Sequence, residues 1–181
     1  MTDNEGAGGD EDPANGGEPT RLGAEPPEVG ERAPDFEALV CDGETFRAAH
    51  LSDAAGDRGC VLVFYAFAFS AVAENWWGRY DRRGWDEFPV PVLGVCRDGP
   101  YAQNAFLRSI DSPFRSFSDT AGDAIGAYGL LTDREGMDGA RTAHRAVFVL
   151  DGDRRVAGRW VMDDWISPIP ADRVEEAVEE L

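Results

Sequence analysis

The sequence predicts one α/β domain in which helices flank a central mixed β-sheet. The apolar run at residues 61–65 is typical of a strand that is buried on both faces. Apolar side chains then recur at i, i+3, i+4 and i+7, the spacing of one helix face, at Ala73, Trp76, Trp77 and Tyr80. The same alternation of strand and helix continues along the chain and ends with a strand hairpin and a last helix, which predicts a mixed sheet.

In the N-terminal half, local signals predict a hairpin, a strand and a helix. Residues 36–40 and 44–46 predict a short hairpin around Asp42-Gly43, because this dipeptide is a strong turn signal. Residues 90–95 form a second apolar strand. Pro100 suits the first turn of the helix that follows, since proline needs no hydrogen-bonded N–H there.

In the C-terminal half, residues 114–117 predict a short strand, whereas the polar and aperiodic residues 132–142 predict a loop. Residues 146–150 and 156–162 predict a second hairpin around Asp151-Gly152. Helical spacing returns in the last helix, at Val174, Ala177, Val178 and Leu181.

Residues 1–32 differ in composition from the rest of the chain. They are rich in Gly, Pro, Asp and Glu and contain almost no large apolar side chain. Such a segment buries too little surface to offset the entropy of ordering, so we expect a disordered acidic tail followed by one folded domain at residues 33–181. A solubilising role is the simpler interpretation of the tail, and partner recognition is the alternative.

The net charge of −18 restricts the kinds of partner that the protein can bind. All 17 basic residues are arginine. That sign disfavours nucleic-acid binding through phosphates. No apolar run approaches the roughly 18 residues that a membrane span needs, and no signal peptide is visible, so we expect a cytoplasmic protein. Acidic residues are spread over the whole chain, which we interpret as a halophilic surface adapted to high salt. An acidic partner-binding surface is the alternative.

The stretch FYAFAFSAVA, residues 64–73, joins the first central strand to the first long helix. Ser70 stands where a helix N-cap would stand. Ligands in open α/β sheets bind at the carboxyl ends of strands, and the free N–H groups of a helix N-terminus favour an anion or a thiolate. We therefore expect the functional site at this junction.

This stretch resembles the active-site loop of the peroxiredoxins, the alkyl hydroperoxide reductase/thiol-specific antioxidant family. Their pattern after a Phe-Tyr strand end is Pro-x-x-x-Thr/Ser-x-x-Cys. In that frame Ser70 matches the hydroxyl position, while Ala66 replaces the proline and Ala73 replaces the peroxidatic cysteine. Residues 33–36, Ala-Pro-Asp-Phe, resemble the opening motif of the family, and the likeness extends over roughly residues 30–181.

The resemblance implies a thioredoxin-like fold and, for the family, an antioxidant oxidoreductase that reduces hydroperoxides with a thioredoxin-type reductant. It also implies that Arg145 matches the arginine that pairs with the thiolate and the substrate. Because Ala73 has no nucleophile, the leading hypothesis is a family member without peroxidase activity. Its role would be binding or redox regulation, with Ser70 and Arg145 holding a small anion.

Two alternatives stay open. Cys96 lies at the carboxyl end of its predicted strand, where it could act as the thiol of an active peroxidase, with Arg97 favouring the thiolate. A dimerising scaffold is the second alternative, since the resemblance allows a homodimer.

Cys41 and Cys60 are expected to be structural. The chain has three cysteines without a C-x-x-C pair and two histidines, so we expect neither a zinc site nor a cofactor. The pair Trp76-Trp77 is assigned to the core or to a subunit interface.

Overall fold

The computed structural model describes residues 21–181, and these contain two sheets. The larger sheet has seven strands in the order β10-β9-β4-β5-β6-β2-β3. Its strands are β2 (Glu37–Cys41), β3 (Phe46–His50), β4 (Gly59–Phe64), β5 (Val92–Cys96), β6 (Arg115–Ser118), β9 (Ala146–Asp151) and β10 (Val156–Val161). The smaller sheet, in the order β1-β7-β8, consists of β1 (Arg21–Leu22), β7 (Leu131–Asp133) and β8 (Arg141–Ala143).

The large sheet is mixed, as the sequence predicts. Strands β4, β5 and β6 run parallel to one another, whereas β9 pairs antiparallel with β4, and β2 pairs antiparallel with β6. The carboxyl ends of the parallel strands therefore meet at one edge. The helices are α1 (Leu51–Ala54), α2 (Ala71–Arg82), α3 (Pro100–Ser109), α4 (Asp123–Ala127) and α5 (Ala171–Glu179), with a 3₁₀ turn at Trp85–Glu87.

A separate hydrophobic cluster covers each face of the sheet. Strand β4 shows why, because all six of its residues are buried and successive side chains point to opposite faces. Leu62 and Phe64 belong to the cluster that contains α1 and α4. Val61 and Val63 belong to the cluster that contains residues of α2, α3 and α5. The predicted central strand thus positions the start of α2 against the second of these clusters.

Two details of the predicted secondary structure are wrong. The hairpin forms, but its second strand is β3 at Phe46–His50 rather than residues 44–46. The Asp42 carboxylate accepts hydrogen bonds from the Glu44 and Thr45 N–H groups at 2.9 and 2.7 Å, which holds these residues in the turn. Residues 132–142 are not simply a loop, since β7 and β8 pair across them. Strands of three residues are too short to show a period in the sequence.

The predicted tail overlaps the folded part of the chain. Residues 1–20 lie outside the described residues, but Arg21 and Leu22 pair with β7, and the Gly30 N–H donates to the Val156 carbonyl at 2.8 Å. A Cβ at Gly129 would lie 2.1 Å from the Ala24 carbonyl oxygen, so the segment packs directly on that glycine. Backbone contacts of this kind need no large apolar side chains, which is why composition alone placed the domain boundary too late.

Within residues 21–181, every helix is too short or too polar to cross a lipid bilayer.

Candidate functional site

The loop between β4 and α2 is held by three local contacts. The Ser70 hydroxyl accepts a hydrogen bond from the Ala73 N–H at 3.1 Å and donates one to the Phe67 carbonyl at 2.9 Å. This confirms Ser70 as the N-cap of α2. From the neighbouring strand end, the Asp98 carboxylate accepts from the Ala68 N–H at 2.6 Å. The loop is therefore fixed to both its own helix and the next strand.

Phe69 completes this loop in a backbone conformation that few side chains adopt. Its φ of 57° lies in the left-handed region, which is unfavourable for a large residue. The ring packs edge-on against Phe106 of α3, with the ring centroids 5.4 Å apart, and remains half exposed. Such a conformation persists where the surroundings fix it, and here it sets the direction in which the chain enters α2.

A cavity of about 130 Å³ lies beside this loop. Its walls come from the end of β4, the first turns of α2, the start of β9 and the segment before α5. The structure brings three of the four predicted site residues together in its lining: Ser70, Ala73 and Arg145. The fourth, Cys96, is not among the lining residues. Most other lining side chains are aromatic or aliphatic, including Phe67, Val72, Trp76, Tyr80, Trp165, Ile166 and Ile169.

Arg145 is almost completely buried, with 6% of its surface exposed. Its Nη1 donates to the Ser167 carbonyl, and its guanidinium carbon lies 4.5 Å from the centroid of the Trp76 ring. Its Nη2 is buried and has no hydrogen-bond partner among the described residues. Burial lowers the pKa of Arg145, yet an arginine keeps its charge in proteins. The cavity wall therefore carries a fixed positive charge with a free donor.

The Tyr80 hydroxyl is a second buried polar group in the lining. Tyr80 is 1% exposed, and its hydroxyl has no hydrogen-bond partner in the described part of the chain. Burial raises the pKa of Tyr80, and the adjacent Arg145 guanidinium opposes that rise through its charge and a close side-chain contact, whose geometry falls short of a hydrogen bond. Buried polar groups in folded proteins nearly always have partners, so the two groups make this cavity the candidate binding site.

Arg134 is a charged residue of the cavity lining that the sequence analysis missed. Its guanidinium carbon lies 3.6 Å from the Trp165 ring centroid and 5.8 Å from that of Phe67. Its Nη1 is buried without a partner among the described residues, and burial lowers its pKa. Arg134 falls in the segment predicted as a loop, and only the pairing of β7 with β8 brings it to the cavity. No local sequence signal places it there.

The lining is positive although the chain as a whole is strongly acidic. Two guanidinium groups line the cavity, and none of the lining residues in the described part of the chain is acidic. Asp164 lies just outside, where its carboxylate accepts from the Ile166 and Ser167 N–H groups at 2.8 and 2.6 Å. The Ser167 hydroxyl, which also donates to this carboxylate, and then the two N–H groups lower the pKa of Asp164. These hydrogen bonds order the segment that supplies the Ser167 carbonyl to Arg145. The electrostatics favour an anionic ligand.

Cys96 has the surroundings of an inert thiol. It is fully buried, and its sulfur lies 3.2 Å from the Asp98 carboxylate and 3.5 Å from the Ala66 carbonyl oxygen. Burial, and secondly the Asp98 charge, raise the pKa of Cys96 far above its usual range. The prediction that Arg97 favours the thiolate form of Cys96 is wrong, because the Arg97 guanidinium donates to the backbone carbonyls of Thr120 and Arg141 instead.

The other two cysteines are also buried free thiols. Burial, with a smaller effect of Asp42, raises the pKa of Cys41 to about 11, and burial alone raises that of Cys60 to about 12. None of the cavity-lining residues in the described part of the chain is a cysteine. Nor does any group of three His, Cys, Asp or Glu residues within residues 21–181 have the arrangement of a metal site.

The tryptophan pair divides between two roles. Trp77 lies in the core, edge-on to Tyr65 with ring centroids 5.5 Å apart. Trp76 packs on the same cluster, but its ring also forms the wall on which Arg145 stacks. The predicted role in the core or at a subunit interface is therefore incomplete for Trp76, which also lines the cavity.

Comparison with solved structures identifies the fold as the thioredoxin-like fold of peroxiredoxins. The peroxidoxin BcpB of Mycobacterium tuberculosis is 22% identical, with a TM-score of 0.71 over 86% of this chain and 98% of that one. A peroxiredoxin-like protein from Aquifex aeolicus is 22% identical, with a TM-score of 0.69 over 91% and 99%. A thiol peroxidase from Chromobacterium violaceum is 18% identical, with a TM-score of 0.73 over 88% and 90%.

The sequence model of the AhpC/TSA family matches residues 29–159. The chain therefore belongs to the AhpC/TSA family, as the resemblance of its active-site loop indicated. A comparison with curated proteins found no match.

Proposed function

We propose that this protein binds a small anion in the cavity beside α2 and does not reduce hydroperoxides. The observation that carries the proposal is the composition of the lining: buried arginine and tyrosine donors without partners, and an alanine where the family frame has its reactive cysteine. The site thus retains groups that stabilise negative charge and lacks the nucleophile. A binding or redox-regulatory role follows from that combination.

The absence of peroxidase activity rests on thiol chemistry. The thiolate is the nucleophile in such reactions, so activity requires a thiol with a lowered pKa. Ala73 offers a methyl group, and the pKa values of Cys41, Cys60 and Cys96 are all raised. With the pKa of Cys41 at about 11, roughly one molecule in ten thousand carries that thiolate at about pH 7.

A peroxide assay tests this proposal. The purified protein, supplied with dithiothreitol and either hydrogen peroxide or an organic hydroperoxide, should consume peroxide no faster than the reductant alone. Cys96→Ser should leave that rate unchanged. Turnover comparable to that of an active thiol peroxidase would refute the proposal. Turnover that disappears in Cys96→Ser, together with dimedone labelling of Cys96 after peroxide treatment, would establish the alternative peroxidase.

Several broader expectations remain predictions. Homodimerisation, which a scaffold role would require, is measured by sedimentation. A thioredoxin-type reductant is relevant only if the peroxide assay shows turnover. The cytoplasmic location and the adaptation of the acidic surface to high salt rest on the sequence. Stability in molar potassium chloride compared with stability at low salt tests the latter.

A further inference from the structure

We infer that the ligand of this cavity is an organic carboxylate with a small apolar body, of about the size of benzoate. The inference rests on the proposed anion-binding function and adds the chemical class of the ligand. It has three parts, which concern the anionic head, the apolar body and the role of the second arginine.

Arg145 and Tyr80 bind the anionic head group of the ligand. Both residues line the cavity, are more than nine-tenths buried, and have a polar atom without a partner among the described residues. A carboxylate has two oxygens that accept hydrogen bonds from two such donors. The other side of the Arg145 guanidinium is already held by the Ser167 carbonyl and stacked on Trp76. The donor is therefore preorganised, and binding requires little further ordering of the side chain.

The remainder of the cavity is apolar. Apart from Arg145, Tyr80, Ser70 and Arg134, the lining side chains are apolar or aromatic, and they include Ala73, Trp76, Trp165 and Ile169. The volume of about 130 Å³ compares with the roughly 150 Å³ of an apolar cavity that accommodates benzene. One ring or a short branched chain would fill this space. The walls would then gain the contacts and the burial of apolar surface that favour binding.

Inorganic anions fit this lining poorly. Phosphate and sulfate carry oxygens on every side. Arg134 offers one further donor, but oxygens turned toward Ala73, Trp76 and Ile169 would lose water without gaining a hydrogen bond. Chloride would leave most of the cavity unfilled. The lining therefore favours a ligand with its charge at one end, which is the property that a carboxylate on a hydrocarbon body has.

Arg134 is a specificity-determining residue in this arrangement. It is partly exposed, in contrast to Arg145, and it is stacked on Trp165 with Nη1 buried and unpartnered in the described part of the chain. Its charge adds to the positive potential of the cavity from the solvent side. Neutral molecules of the same shape should bind more weakly because they can accept a hydrogen bond but gain no charge–charge attraction from either guanidinium.

Isothermal titration of the full chain with four probes tests the inference. The probes are benzoate, benzyl alcohol as the neutral molecule of similar shape, sodium phosphate and potassium chloride, at constant ionic strength. Benzoate should bind saturably with a stoichiometry of one per chain. Benzyl alcohol should bind at least about tenfold more weakly, because a hydrogen bond to a charged group contributes more than tenfold in affinity. Phosphate and chloride should show no saturable heat.

Two tyrosine variants locate the site. Tyr80→Phe removes only the hydroxyl and should weaken benzoate binding about tenfold. Tyr128→Phe is the matched control, because Tyr128 is buried in the opposite cluster and its hydroxyl donates to the Pro34 carbonyl at 3.0 Å. Its benzoate affinity should equal that of the unmodified protein. Equal losses in the two variants would overturn the assignment of the head-group site.

The remaining outcomes separate this inference from the function on which it rests. Phosphate or chloride binding as tightly as benzoate, with loss in Tyr80→Phe, would overturn the carboxylate class and leave the anion-binding function standing. Benzyl alcohol binding as tightly as benzoate would overturn both, since the site would then not respond to charge. An absence of heat with all four probes would also overturn both. Peroxide turnover would refute the loss of peroxidase activity alone.

Discussion

Replacing Tyr80 by phenylalanine should stabilise the ligand-free protein. Tyr80 is 1% exposed, and its hydroxyl has no hydrogen-bond partner among the described residues. An unsatisfied buried polar group costs about 1–3 kcal/mol, and removing it recovers part of that free energy. The ring contacts are kept in the variant, since Tyr80 stacks on Trp85 at a centroid distance of 4.1 Å and meets Trp77 edge-on at 5.8 Å. We expect a gain of about 1 kcal/mol in the free energy of unfolding.

The measurement is urea unfolding at neutral pH in a buffer free of carboxylates, followed by tryptophan fluorescence. The transition midpoint should move to higher urea while the slope stays constant, because the area exposed on unfolding hardly changes. Tyr128→Phe should do the opposite and lose about 1 kcal/mol, because its hydroxyl is satisfied by Pro34. Destabilisation of both variants by the same amount would refute the argument that the Tyr80 hydroxyl lacks a partner in the free protein.

Three further predictions follow from the surroundings of charged and thiol groups. Arg134→Gln should weaken benzoate binding several-fold, whereas Arg141→Gln, which breaks the exposed ion pair with Asp133 at 2.9 Å, should leave it unchanged in the same titration. The free energy of unfolding should fall as pH rises from about 9 toward 11, because the raised pKa of Cys41 makes the folded state hold its proton after the unfolded state has lost it. In the Cys41→Ser variant, the urea midpoint should fall less steeply over that pH range than it does in the unmodified protein. Ellman's reagent should leave all three thiols of the native protein unlabelled at pH 8, since each is buried with a raised pKa, and labelling of Cys96 within minutes would contradict this.

The parts of the fold that the sequence predicted correctly have strong local signals. The continuous apolar run of β4, the helical spacing of α2 and the capping residue Ser70 are each readable from neighbouring residues. The Asp151-Gly152 turn likewise defined the hairpin of β9 and β10. These elements also position Arg145 at the start of β9, so most of the candidate site followed from local sequence and family resemblance together.

The parts that the sequence did not predict depend on contacts between distant segments. Arg134 reaches the cavity through β7 and β8, whose three-residue strands have no detectable period. Tyr80 occupies an ordinary core position on α2, and only the fold reveals that its hydroxyl lacks a partner. Residues 21–32, before β2, pack on the domain through backbone contacts, and amino-acid composition does not predict such contacts. Cys96 and Arg97 are neighbours in sequence, yet their side chains have separate partners.

The pKa of a thiol introduced by Ala73→Cys tests the central claim most directly, namely that positive charge surrounds the position of the missing nucleophile. Alkylation by iodoacetamide, followed by mass spectrometry over a range of pH, gives this value for the new thiol alone, because the three native thiols have raised pKa values. The start of α2 and the Arg145 guanidinium should lower the pKa below the free value of about 8.5. A pKa at or above that value would contradict both the alignment of Ala73 with the peroxidatic position and the electropositive character of the cavity.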